Sequence, residues 1–166
     1  LYESKNAVLN RGFALAQLRR FEQQLDSCDR AIELDPEFVE AINCKALALD
    51  ELGQNEEAVR LFRELLEIQK DFYQAWNNLG EVLMELDRPQ EALAAFDQAK
   101  LYNREYLFAW NNRGNALFRL ERYAEAIASY DQAIEIDSSY PYAWNGRGNA
   151  HRQLGRYEQA ISDYNQ

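Results

Sequence analysis

The sequence is poor in the residues that punctuate or staple a chain. Three prolines and seven glycines in 166 residues are too few turn formers for a many-stranded β fold, and suit helices joined by short connections. Two cysteines, Cys28 and Cys44, are too few for a disulfide scaffold, and their spacing matches no metal motif. Both are expected to be reduced and buried as small apolar residues. No run of 18 apolar residues occurs, so no span of a bilayer is expected, and no signal-peptide pattern opens the sequence. Positive charge is short: 18 Lys and Arg stand against 28 Asp and Glu, for a net charge of −10. Such a chain repels phosphate backbones and anionic lipid headgroups, so neither nucleic acid nor a membrane is an expected partner. A cytoplasmic location is the expectation.

What the sequence does have is apolar residues, 47% of the total counting Ala and Tyr, enough for a sizeable core, and a period. Trp76, Trp110 and Trp144 stand 34 residues apart within AWNNLGEVL, AWNNRGNAL and AWNGRGNAH. The stretches RPQEALAAFDQAK, RYAEAIASYDQAI and RYEQAISDYNQ follow at one offset. Extended backwards, the frame reaches AINCKALAL and AVLNRGFAL. Five units result: 5–38, 39–72, 73–106, 107–140 and 141–166, the last eight residues short, with residues 1–4 as the tail of an earlier unit or a linker. The whole of 1–166 reads as a single array.

Each unit reads as two helices, because apolar or small residues recur at three- and four-residue spacing, as at Trp110, Gly114 and Leu117 and then Tyr123, Ala126, Ile127 and Tyr130. Pro89 and Pro141 fall at helix starts, where a missing N–H costs nothing. Pro36 falls between units, and Gly53 and Gly155 mark the turn inside a unit. Gly12, Gly80, Gly114 and Gly148 share one mid-helix position, filled by Ala46 in the second unit. Gly there costs about 1 kcal/mol against Ala, so close approach of the paired helix is expected to compensate.

This unit resembles the tetratricopeptide repeat. The pattern is matched by Trp76, Leu79, Gly80, Ala92 and Phe96, by Trp110, Gly114, Ala126 and Tyr130, and by Trp144, Gly148, Gly155, Tyr157, Ala160 and Tyr164. Departures are Arg11, Arg113 and Arg147 where Leu is usual, His151 where Tyr or Leu is usual, and Gln24 where Ala is usual. The resemblance implies an all-α fold: a right-handed α-solenoid of about five stacked antiparallel helix pairs. First helices would line a concave groove, and second helices would form the convex back. Stability would add up unit by unit.

No enzyme is expected, because no nucleophile, base or metal cluster is held together and no Gly-rich phosphate loop exists. His151 falls at a core-packing position, and no cofactor or metal is called for. The sharpest functional signal is asparagine, a residue of middling helix propensity. Asn43, Asn77, Asn111 and Asn145 share one repeat position, Asn10, Asn78 and Asn112 the next, and Asn115 and Asn149 follow one turn later on the same face. These rows either link neighbouring first helices or bond an extended peptide backbone. With Glu81, Phe108 and Tyr142 they form the candidate peptide-binding groove, with Met84 and Phe118 on or near the same side. The expected function is a protein-interaction module holding a peptide or helical segment of a partner, as part of a larger protein. The alternative is a structural spacer or self-association segment. A chaperone-adaptor carboxylate clamp is not matched in this register, where Leu9, Phe13, Asn78, Phe108 and Asn112 stand. Trp110 is expected to be largely buried. Ala160, Ile161 and Tyr164 are expected to lack cover, so that the last helix frays or meets another copy.

Overall fold

A computed structural model describes residues 3–166; residues 1–2, half of the segment read as a tail or linker, lie outside the described residues. Ten helices and no strand occur among the described residues. The first helices of the units are α1 (Lys5–Gln17), α3 (Val39–Glu51), α5 (Tyr73–Glu85), α7 (Leu107–Arg119) and α9 (Pro141–Gln153). The second helices are α2 (Phe21–Leu34), α4 (Asn55–Ile68), α6 (Pro89–Tyr102), α8 (Tyr123–Ile136) and α10 (Tyr157–Tyr164). All the first helices begin 34 residues apart, as the frame requires. Pro89 and Pro141 occupy first turns. The turn inside each unit needs one residue with positive φ, supplied by Gly53 (73°) and Gly155 (71°) but by Arg19, Asp87 and Glu121 in the other units. Glycine bears that conformation without a Cβ clash.

The chain divides into two compact parts, residues 1–82 and 83–166, with the boundary inside α5. In the first part α1 packs on α2, α2 on α3 and α3 on α4, and α1 also touches α3. Its core includes Val8, Leu9, Cys28, Ala31, Ala41 and Cys44. In the second part α6 packs on α7, α7 on α8, α8 on α9 and α9 on α10, and α7 also touches α9. Its core centres on Leu117, Ala126, Tyr130 and Ala150. Contacts between sequence neighbours are what a repeat stack requires, since no unit covers its own stripe alone.

Two sequence expectations change. Cys28 and Cys44 are fully buried, but they are joined as a disulfide between α2 and α3 rather than reduced. Trp110 is covered over most of its surface, as expected, and its indole N–H donates at the surface to the Arg104 carbonyl, 2.8 Å away. Trp76 and Trp144 make the same bond to Lys70 and Ser138. The tryptophans therefore tie the last three inter-unit turns to the helices that follow them. At the end of the chain, α10 is helical through Tyr164 and Ala160 is buried. Its exposed apolar residues are Tyr157, Ile161 and Tyr164.

The structure also explains the departures from the repeat pattern at Arg113, Arg147, Gln24 and His151. Arg113 reaches Asp97 on α6 (2.8 Å) and Ser129 on α8 (2.6 Å). Arg147 bridges Asp131 on α8 and, through two nitrogens, Asp163 on α10. Lys45 pairs with Asp29 in the same way. The cations thus clamp a first helix to the second helices beside it, and the two-toothed Arg147–Asp163 pair is the geometry in which Arg binds most strongly. Gln24 is buried and donates to the Cys44 carbonyl. His151 is buried near Asp163, and burial holds its pKa below the usual value.

Candidate functional site

The asparagine rows lie on first helices, and the structure separates them. In the first part, Asn78 on α5 donates to the Asn43 side chain on α3 (3.4 Å). That pair links neighbouring first helices. Asn77 is buried, and Glu81 is exposed on α5. In the second part, α7 and α9 lie side by side, and residues one helical turn apart share a face. Asn111 and Asn115 on α7 and Asn145 and Asn149 on α9 accordingly surround one pocket of about 360 Å³.

Aromatic side chains form its rim. Tyr106, Phe108, Tyr140 and Tyr142 make a chain of edge-on and tilted contacts, with successive ring centroids 5.4, 5.9 and 5.3 Å apart. Tyr140 and Tyr142 line the pocket, and Phe108 packs edge-on against Tyr140. Met84, Phe118 and Arg119 complete the wall. Arg119 is fixed there by Asp87 (2.6 Å) and the Met84 carbonyl (3.0 Å).

The polar groups differ in what they have left to offer. Asn111 is buried; its amide nitrogen donates to Asn112, while its side-chain oxygen has no partner within the chain. Such a buried acceptor costs free energy until it is paired. Asn115 accepts from the Tyr130 hydroxyl (2.8 Å), and Asn149 from Tyr164 (2.9 Å). Asn145 is exposed.

Of the residues expected from sequence, Asn111, Asn115, Tyr142, Asn145 and Asn149 meet at this pocket; Asn43, Asn77, Asn78, Glu81, Phe108 and Asn112 do not line it. Tyr130, Tyr140 and Gly146 line it too. Tyr130 was legible in the sequence only as part of a buried helix stripe. Gly146 carried a signal of its own, as the glycine that replaces Asn at the position of Asn78 and Asn112. A Cβ on Gly146 would lie 2.6 Å from the Tyr130 ring, so the exchange makes room for that ring.

Four family models match the chain. Three described as tetratricopeptide repeat cover residues 6–38, 27–60 and 45–106, and one described as TPR repeat covers 114–155. No curated protein matches the sequence. Among solved structures, MamA from Desulfovibrio magneticus RS-1 is similar at 17% identity, covering 97% of this chain and 91% of its own, with a TM-score of 0.86. A thermophilic TPR protein of Thermus thermophilus is 21% identical over 98% of this chain and 89% of its own, with a TM-score of 0.80. YrrB, described as a TPR protein with an unusual peptide-binding site, is 22% identical over 94% of this chain and 80% of its own, with a TM-score of 0.76. At these identities the likeness is one of fold.

Proposed function

Because the chain belongs to the tetratricopeptide repeat family, we propose that it is a protein-interaction module whose α7–α9 pocket holds a peptide segment of a partner. The observation that carries this reading is the convergence of four asparagines and two exposed-edge tyrosines on one concavity. An asparagine side chain offers a donor and an acceptor together, matching the C=O and N–H of an extended backbone. Aromatic rims add contact area at low entropic cost. The peptide-binding site named for YrrB supports the class of ligand.

Photo-crosslinking tests the reading. A peptide is first selected by display on the whole chain. A photoreactive residue then replaces either Asn145, in the pocket, or Glu135, exposed on the outer face of α8. Crosslinking from position 145 and not from 135 is expected; the reverse pattern would refute the pocket as the binding surface.

One observation favours a second reading. Tyr157, Ile161 and Tyr164 leave an apolar face of α10 exposed, which suits self-association or a structural spacer. Sedimentation that stays monomeric over a wide concentration range would remove the self-association form of it.

A further inference from the structure

Two hydrogen bonds at the pocket repeat with the period of the chain. Tyr130 donates to Asn115 and Tyr164 to Asn149, and the pairs are 34 residues apart. At the tyrosine position the other units carry Cys28, Phe62 and Phe96. At the asparagine position they carry Phe13, Leu47 and Glu81. The hydroxyl and the amide therefore occur together and are missing together. A tyrosine hydroxyl in a packed setting needs a polar partner, which explains an acceptor there but does not by itself require an amide. An amide adds a donor nitrogen that the tyrosine does not use, and both asparagines line the pocket. Burial raises the pKa of the Tyr130 hydroxyl, so it stays protonated and acts as donor.

We infer that Tyr130 and Tyr164 are positioning residues that hold the Asn115 and Asn149 amides with their oxygens engaged, so that the pocket presents two amide donors from neighbouring helices to backbone carbonyls of a bound peptide. This rests on the pocket reading above and adds its polarity. Asn111, whose buried side-chain oxygen has no partner within the chain, borders the same pocket. A carboxylate is disfavoured as occupant because Arg119, the cation lining the pocket, is already committed to Asp87 and the Met84 carbonyl. The occupant is thus an uncharged stretch of polypeptide backbone.

The test uses the whole chain, an acetylated and amidated Ala-Gly-Ala-Gly peptide as probe, and the side-chain amide signals of Asn115 and Asn149 in nitrogen-15 NMR. Tyr130→Phe is expected to fold normally, since Phe62 and Phe96 are fully buried at the same repeat position. In the parent chain the probe should shift both amide pairs. Tyr130→Phe should move the Asn115 signals before any probe is added and weaken probe binding by about two- to tenfold, the loss of one oriented hydrogen bond. Asn115→Asp retains an acceptor for Tyr130 but gives up the donor, and should weaken binding as much. Equal affinity in the parent and in Tyr130→Phe, with Asn115 still shifted by the probe, overturns the positioning role and leaves the pocket reading standing. Failure of the probe to shift either amide in the parent overturns both. Displacement of the probe by acetate at these amides overturns the assignment of backbone as occupant.

Discussion

The two compact parts fill one repeated slot in opposite ways. In the first part the slot between α1, α2 and α3 holds Gly12, Cys28 and Cys44. In the second, the slot between α7, α8 and α9 holds Gly114, Tyr130 and Gly146, each 102 residues on from its counterpart. The first slot is closed by a covalent bond, and the second by a buried ring seated against two glycines. A Cβ on Gly12 would stand 3.2 Å from the Cys44 sulfur, whereas one on Gly114 would stand 2.5 Å from the Tyr130 ring. The lesson is that the repeat fixes where helices approach and leaves the filling free. Where the filling is tyrosine, its hydroxyl bonds an asparagine that lines the pocket; cystine and phenylalanine have no hydroxyl to do so.

The comparison breaks most sharply at Tyr130. Tyr130→Ala is expected to cost about 3–5 kcal/mol, as for other buried aromatics, seen as a lower urea midpoint of the second part. A cost near zero would mean that the ring does not hold α7, α8 and α9 together. Next comes reduction of the Cys28–Cys44 bond, which closes a loop between residues 16 apart. Loop-closure entropy for that length gives about 3 kcal/mol, so a reductant should lower the urea midpoint of the parent but leave a Cys28→Ala, Cys44→Ala variant unmoved.

The glycines sharpen the contrast in sign. Ala gains about 1 kcal/mol over Gly inside a helix, while overpacking a filled core costs about 1–3 kcal/mol. Gly114→Ala should therefore lower the melting temperature, and Gly12→Ala, with its looser contact, should leave it almost unchanged. Equal losses at both would deny that the slots differ.

The smallest expected effect is a pH dependence confined to the second part. Burial lowers the His151 pKa, an effect that Asp163 and Asp131 oppose and that Arg147 and Arg156 reinforce. The unfolded chain then takes up this proton more readily than the native one, so stability is full above the unfolded value of about 6.5 and falls as pH drops below it. His151→Gln should flatten the stability profile in that window. An unchanged profile would assign the dependence to other groups.

The helices were legible because tryptophan and glycine recur with a period that one helix pair explains. Trp110 was legible as a packed ring, but the reach of its N–H to the Arg104 carbonyl was not. The disulfide had a signal that composition hid. Cys28 and Cys44 are 16 residues apart, the same offset that joins Asp97 to Arg113 and Asp131 to Arg147, from a second helix to the next first helix. For the pocket, sequence supplied the asparagine rows but not their burial. Asn77 and Asn111 sit in the same row as exposed Asn145, and only packing around each helix separates them. Replacing Asn77, Asn111 and Asn145 together would therefore mix stability with binding. Asn145 and Asn149 are the cleaner pair.

Calorimetric titration of a display-selected peptide into the parent and into Asn145→Ala, Asn149→Ala is the most direct test of the pocket as a binding site. Two lost hydrogen bonds at about 0.5–1.5 kcal/mol each correspond to roughly a five- to 150-fold weaker affinity. The account predicts that loss with helicity by circular dichroism unchanged. An affinity equal to that of the parent, with the fold intact, would contradict it.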